Sequence, residues 1–189
     1  EGAFMNTYVT AGTIRKLREV RSLTQAELAE KIGAVNTLVR VDEKHGFKGY
    51  NTDMMGLRRQ IIEDGISLNN ETVVILGAGG AAKAVVYMCL LEGAKKIYIL
   101  NRTVEKAKQI ADTSKKVVAL AMSDYEKIAE DNLIVFQATS MGLAPKINEV
   151  VLEDNRFYQK VKIGVDLIYN PANTKFMQLV TSAGGRAYN

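Results

Sequence analysis

The chain has 189 residues, is 47% hydrophobic and 24% charged, and carries a formal charge of +4 with a pI near 9.1. That length supports one good core, or one core and a small appendage. The basic residues are interleaved with acids, too mild a bias to argue for nucleic acid although it suits a phosphate-bearing ligand. Cys89 is the only cysteine, which excludes an internal disulfide, and no apolar run is long enough to cross a bilayer. With no signal-peptide pattern at the N-terminus, a cytoplasmic protein is expected.

In chain order, Ile14, Leu17 and Val20 recur at helical spacing, and the capping box Thr24-x-x-Glu27 predicts a second helix through Leu28 and Ile32 that Gly33 stops. Residues 37–41 and 46–50 read as two short strands of a hairpin, with the lone histidine, His45, as an exposed turn residue. Residues 54–63 read as a connecting helix in which Met54, Leu57, Ile61 and Ile62 pack. Strands and helices then alternate. Strands are predicted over 72–76, 96–100, 117–121, 133–138 and 163–168, helices over 81–92, 104–113, 125–130 and 173–183, and an edge strand over 186–188. Cys89 falls in an apolar helical stretch and reads as a buried, inert thiol. The alternation predicts an α/β fold, a Rossmann-type doubly wound parallel sheet over 51–189, preceded by a small helical and hairpin segment over 1–50.

The chemistry concentrates at the first of these strands. The β-branched run Thr72-Val73-Val74-Ile75-Leu76 leads into Gly77-Ala78-Gly79-Gly80-Ala81-Ala82, a G-x-G-x-x-A fingerprint with Gly77, Gly79 and Ala82 in its three places. Glycines there permit a tight turn and close approach of backbone to a pyrophosphate, and the following helix points free N–H groups at it. The next strand ends at Asn101 and Arg102, with Lys106 one helical turn on. Enzymes that use NAD usually place an acid there for the ribose hydroxyls, whereas this basic cluster attracts a 2′-phosphate. NADP is therefore expected over NAD.

Six segments, Ile32-Gly33-Ala34-Val35-Asn36-Thr37, Gly49-Tyr50-Asn51-Thr52-Asp53, the glycine turn, Asn101-Arg102-Thr103, Ala138-Thr139-Ser140-Met141-Gly142 and Asp166-Leu167-Ile168-Tyr169-Asn170-Pro171, have the order and spacing of the shikimate dehydrogenase family, which this chain resembles. The resemblance implies NADPH-dependent reduction of 3-dehydroshikimate to shikimate. It assigns Gly77, Ala78, Gly79, Gly80 and Ala81 to the pyrophosphate, and Asn101, Arg102, Thr103 and Lys106 to the adenosine phosphate. Thr139, Ser140 and Met141 go beside the nicotinamide half, with Leu167 near it. Asn36, Asp53 and Tyr169 fall on the substrate side, and Asp53 is the member of a lysine–aspartate pair that handles the proton accompanying hydride transfer. An N-cap for the 54–63 helix is an equally open reading of Asp53.

The chain departs from the family at both ends. The family's catalytic lysine lies in a Thr-x-Pro-His-Lys-like motif, yet the only prolines here are Pro145 and Pro171. Beyond Asn189 the family continues with further nicotinamide and substrate contacts. Residues 14–33 instead resemble the first two helices of lambda-repressor-like helix-turn-helix domains, but the Asn36 motif begins where a DNA-reading helix should follow. A truncated or recombined enzyme of impaired activity is expected, and the alternative is a non-catalytic NADP-binding module or a helix-turn-helix-fused regulator or scaffold. Covering the face left by an absent substrate domain predicts a homodimer.

Overall fold

The computed structural model describes residues 37–42, 46–50 and 52–189. The helix pair expected over 14–33, Asn36 and the turn with His45 lie outside the described residues. The chain divides into two compact units, 1–60 and 61–189.

In the first unit, β1 (Thr37–Asp42) and β2 (Gly46–Tyr50) pair antiparallel from Thr37 opposite Tyr50, with a register shift between Arg40 and Asp42. Helix α1 (Thr52–Glu63) follows and ends in the second unit. It begins two residues earlier than expected, so Asp53 sits inside the first turn rather than at the cap.

The second unit is built on one sheet. Its elements are β3 (Thr72–Leu76), α2 (Gly80–Leu91), β4 (Lys96–Asn101), α3 (Val104–Ala111), β5 (Val117–Ala121), β6 (Leu133–Gln137), α4 (Asn155–Tyr158), β7 (Val161–Asp166), α5 (Lys175–Ser182) and β8 (Arg186–Tyr188). The strand order is β5-β4-β3-β6-β7-β8, and every neighbouring pair is parallel. The chain winds outward from β3 to β5, then returns to the other side of β3. That reversal opens a crevice at the carboxyl ends of β3 and β6, where ligands of such sheets bind.

Continuous β-branched and apolar runs make the central strands buried on both faces, as a parallel sheet requires. Val73 to Leu76 and Leu133 to Phe136 are fully buried. Side chains alternate between faces: Val74, Leu76, Tyr98, Leu100, Leu133 and Val135 cluster with Phe157, Tyr158, Phe176 and Val180 from α4 and α5. Val73, Ile75, Ile97, Ile99, Ile134 and Phe136 turn to the opposite face, the side of the buried α2 residues Val85, Val86, Met88 and Cys89. Helix α5 lies directly on β7, since a Cβ at Gly164 would stand 2.8 Å from Val180 Cγ2 and 3.0 Å from the Phe176 ring. Cys89 is fully buried, and desolvation pushes its thiol far above the reactive range.

Three local expectations need correction. The segment expected as a helix over 125–130 is a 3-10 helix over Met122–Lys127; the Ile128 N–H donates to the Tyr125 carbonyl, and Ile128 turns into the core. The one-turn α4 was absent from the predicted elements because four residues carry no readable period; Asp154 caps it, accepting from the Arg156 N–H at 2.8 Å. Strand β7 covers 161–166 rather than 163–168, because the Asp166 carboxylate accepts the Ile168 N–H at 2.9 Å and ends the extended run. No helix among the described residues is long and apolar enough to cross a membrane.

Candidate functional site

The crevice between β3 and β6 is shaped by the turn that leaves β3. The Gly77 N–H donates to the Leu100 carbonyl at 2.8 Å, and the Ala138 N–H donates to the Leu76 carbonyl at 2.9 Å, so the turn is wedged between the ends of β4 and β6. Gly77 has φ +109°, and an added Cβ would stand 2.8 Å from Thr139 Cγ2 and 3.0 Å from the Ala138 oxygen. Only glycine fits there. Gly79 is different: its φ of −90° is open to any residue, and nothing lies within 4 Å of an added Cβ. The protein gives no steric reason for glycine at 79, whereas a ligand brought against the backbone does. Gly79 caps α2 with no side-chain bond, and the first turn has no acid, so the unpaired N–H groups of that turn face no competing charge.

A cleft of about 480 Å³ opens beside this turn. Gly77, Ala78 and Gly79 line it, Asn101, Arg102, Thr103 and Lys106 supply a second set of lining residues, and Ala138 to Met141 a third, with Met122 and Val151 as apolar additions. Arg102, Thr103 and Lys106 are exposed, and neither Arg102 nor Lys106 has an ion-pair partner among the described residues. Asn101 folds back instead, its Nδ2 donating to the Thr103 carbonyl at 2.8 Å and shaping the entry to α3. Two unpaired cations, a glycine turn and a free helix N-terminus are a donor set for a phosphorylated dinucleotide, and the open space at Gly79 admits one.

Other expected site residues stand apart. Gly80 and Ala81 lie in the first turn of α2 without lining the cleft. Leu167 is half-buried, its N–H donating to the Gln137 carbonyl at 3.1 Å, and Tyr169 is 86% exposed; neither lines the cleft. Asn36 lies outside the described residues, and Asp53 is described only by its backbone place in α1.

Sequence reasoning missed Met122, Ala138 and Val151 in the lining, and two buried polar centres that hold the loops. At the end of β6, Gln137 is fully buried and bonds around the next four residues. At the end of β7, Asp166 Oδ2 accepts the Thr174 hydroxyl at 2.6 Å, and that hydroxyl accepts the Met177 N–H at 3.2 Å as the cap of α5. The available signal was a polar residue closing an apolar strand.

Burial raises the Asp166 carboxyl above its ordinary value, opposed by the bonds from Thr174 and the Ile168 N–H. A raised native pKa means that the folded state holds the proton longer than the unfolded one, so this group's contribution falls as pH rises through the carboxylate range. Thr174→Val keeps the shape but removes one bond to the carboxylate and the cap. Chemical denaturation should show a loss of about 2–3 kcal/mol at neutral pH. The loss should shrink as pH falls through the carboxylate range and the raised carboxyl takes up its proton.

A parallel sheet of this order, with a glycine turn at its switch point and cations at the end of the second strand, defines a dinucleotide-binding domain. A family model for shikimate / quinate 5-dehydrogenase matches residues 57–175, and the chain belongs to that family. The shikimate dehydrogenase (NADP(+)) of Alkaliphilus oremlandii is 36% identical over 172 residues, covering 87% of this chain and 59% of that relative. The crystal structure of a chorismate mutase/shikimate 5-dehydrogenase fusion protein from Clostridium acetobutylicum superposes with a TM-score of 0.74 at 34% identity, over 94% of this chain and 63% of the other. Shikimate 5-dehydrogenase from Listeria monocytogenes, in complex with shikimate and NAD, gives 0.71 at 31% identity, over 84% and 58%. The chain thus spans about 59% of the length of the Alkaliphilus relative.

Proposed function

We propose that this chain is the NADP(H)-binding part of a shikimate-type dehydrogenase, with residues 51–189 as the cofactor domain and 1–50 as a substrate-side segment. One observation carries the reading: the cleft sets the glycine turn and the free end of α2 against Arg102 and Lys106, which have no ion-pair partners among the described residues. The Alkaliphilus relative is an NADP(+) enzyme by name, while the Listeria structure holds NAD, so the choice between cofactors rests on those two cations.

In this reading the turn from Gly77 to Gly79 and the first N–H groups of α2, where Gly80 and Ala81 lie, bind the pyrophosphate. Arg102 and Lys106 hold the adenosine 2′-phosphate, Arg102 through its planar fork. Asn101 and Thr103 set the start of α3 beneath them. Thr139, Ser140 and Met141 orient the nicotinamide half, which, when bound, supplies the hydride that reduces a ketone to an alcohol. In the family's scheme Asp53 would move the accompanying proton with a lysine partner, and Asn36 and Tyr169 would bond the ring hydroxyls of 3-dehydroshikimate. Exposed Tyr87 and Leu91 on α2 supply apolar surface of the kind a homodimer covers.

The chain carries Asp53 but no Thr-x-Pro-His-Lys-like motif. It is therefore expected to bind NADPH while failing to consume it, because orientation and proton transfer each contribute orders of magnitude in rate. NADPH absorbance followed after addition of 3-dehydroshikimate checks this. A flat trace with bound NADPH fits the reading, and steady turnover would show that the chain completes the site by another route.

A further inference from the structure

We infer that Gln137 is the positioning residue of the nicotinamide-side wall, acting through Thr139 without itself touching the cofactor. This rests on the reading of the cleft as a dinucleotide site. Gln137 ends β6 at the switch point, is fully buried, and is not among the residues lining the cleft. Its Oε1 accepts both the Thr139 N–H and the Thr139 hydroxyl at 2.7 Å, and its Nε2 donates to the Met141 carbonyl at 3.0 Å and more weakly to the Thr139 carbonyl at 3.4 Å. The Thr139 hydroxyl also accepts the Met141 N–H at 3.1 Å. One amide therefore closes a ring of bonds around Thr139, Ser140 and Met141.

The same Thr139 presses its methyl against Gly77, where an added Cβ would meet it at 2.8 Å. The ring thus fixes the spacing between the phosphate turn and the wall after β6. Sheet order supplies the direction: Asn101 to Lys106 lie on the β4 side of β3, and Thr139 to Met141 on the β6 side. A dinucleotide with its 2′-phosphate on the first side and its pyrophosphate at Gly77 extends its other half along the second. An all-apolar strand end would bury as well, but it would leave the polar groups of the turn unpaired and the wall without a set position.

The test compares two ligands on one protein by calorimetry. NADPH spans the cleft, whereas adenosine 2′,5′-bisphosphate carries the 2′-phosphate without the nicotinamide half. Gln137→Met, similar in length but without the amide, should weaken NADPH at least about tenfold and leave the bisphosphate within about twofold, as loss of preorganisation on one side only requires. Gln137→Asn, which keeps an amide but draws it one methylene back from Thr139 and Met141, should give the same split in smaller degree, and it decides the matter if Gln137→Met fails to fold. Equal loss for both ligands, or unchanged NADPH affinity in a folded variant, would overturn the positioning role. If the unaltered protein binds the bisphosphate and not NADPH, or neither, the dinucleotide reading fails first and the inference fails with it.

Discussion

Arg102→Asp lowers NADPH affinity about 100-fold and NADH affinity less than about threefold, the expected result if Arg102 holds the 2′-phosphate. The two cofactors differ only in that phosphate, so the comparison isolates it. Arg102 is exposed at the mouth of α3 and spends none of its charge on an ion pair among the described residues. A charge-assisted bond from a guanidinium to a phosphate contributes about 1.5–3 kcal/mol, and reversing the sign adds repulsion, for a total near 3 kcal/mol. Lys106 remains in place and keeps the loss from growing larger. Calorimetric titration of the variant with both cofactors reads the ratio directly, and an equal loss for NADPH and NADH would remove Arg102 from the phosphate site.

The second large effect falls on stability. Gly77→Ala puts a Cβ 2.8 Å from Thr139 Cγ2 and 3.0 Å from the Ala138 oxygen, on a backbone with φ +109°. Strain at such a backbone position costs about 1–3 kcal/mol, and overpacking costs a similar amount. A loss of about 3 kcal/mol is expected, which lowers the melting temperature by roughly 10 °C in a chain of this size. The neighbour that must yield is backbone as well as a methyl group, so relaxation also shifts the wall after β6, and NADPH affinity should fall with stability. Gly79→Ala is the matched control: with ordinary φ and open space it should leave the melting temperature nearly unchanged while weakening NADPH, because its cost appears only when a ligand fills the cleft. Thermal unfolding with and without NADPH separates the two glycines, and a Gly77→Ala protein as stable as the parent would contradict the close packing of turn and wall.

Much of the sheet was legible because its strands bury both faces. Runs such as Thr72-Val73-Val74-Ile75-Leu76 and Leu133-Ile134-Val135-Phe136 have few alternatives, and the glycines after the first fix where the chain must turn. The cations at 102 and 106 were readable because they stand where a ribose-binding acid is usual. What escaped was set by tertiary contact. Asp166 ends β7 two residues before the apolar run ends, through a bond to the Ile168 N–H that hydropathy does not register. Helix α4 exists as one capped turn whose Phe157 and Tyr158 are pulled into the core. Met122 and Val151 come to the cleft from the segments after β5 and before α4, which local pattern does not bring together. Gln137 was read as one more strand residue, and its role became visible only with its partners across the turn. Leu167 and Tyr169 were placed near the cofactor and substrate by resemblance, yet neither lines the cleft.

The central claim is that the cleft selects a 2′-phosphorylated dinucleotide. Parallel calorimetric titrations of the unaltered chain with NADPH and NADH test it most directly. The account predicts saturable one-to-one binding of NADPH, with NADH weaker by at least about tenfold, corresponding to about 1.4 kcal/mol or more from the phosphate. Equal affinities would mean that Arg102 and Lys106 are solvated surface charges, and absence of binding by either would contradict the dinucleotide site itself.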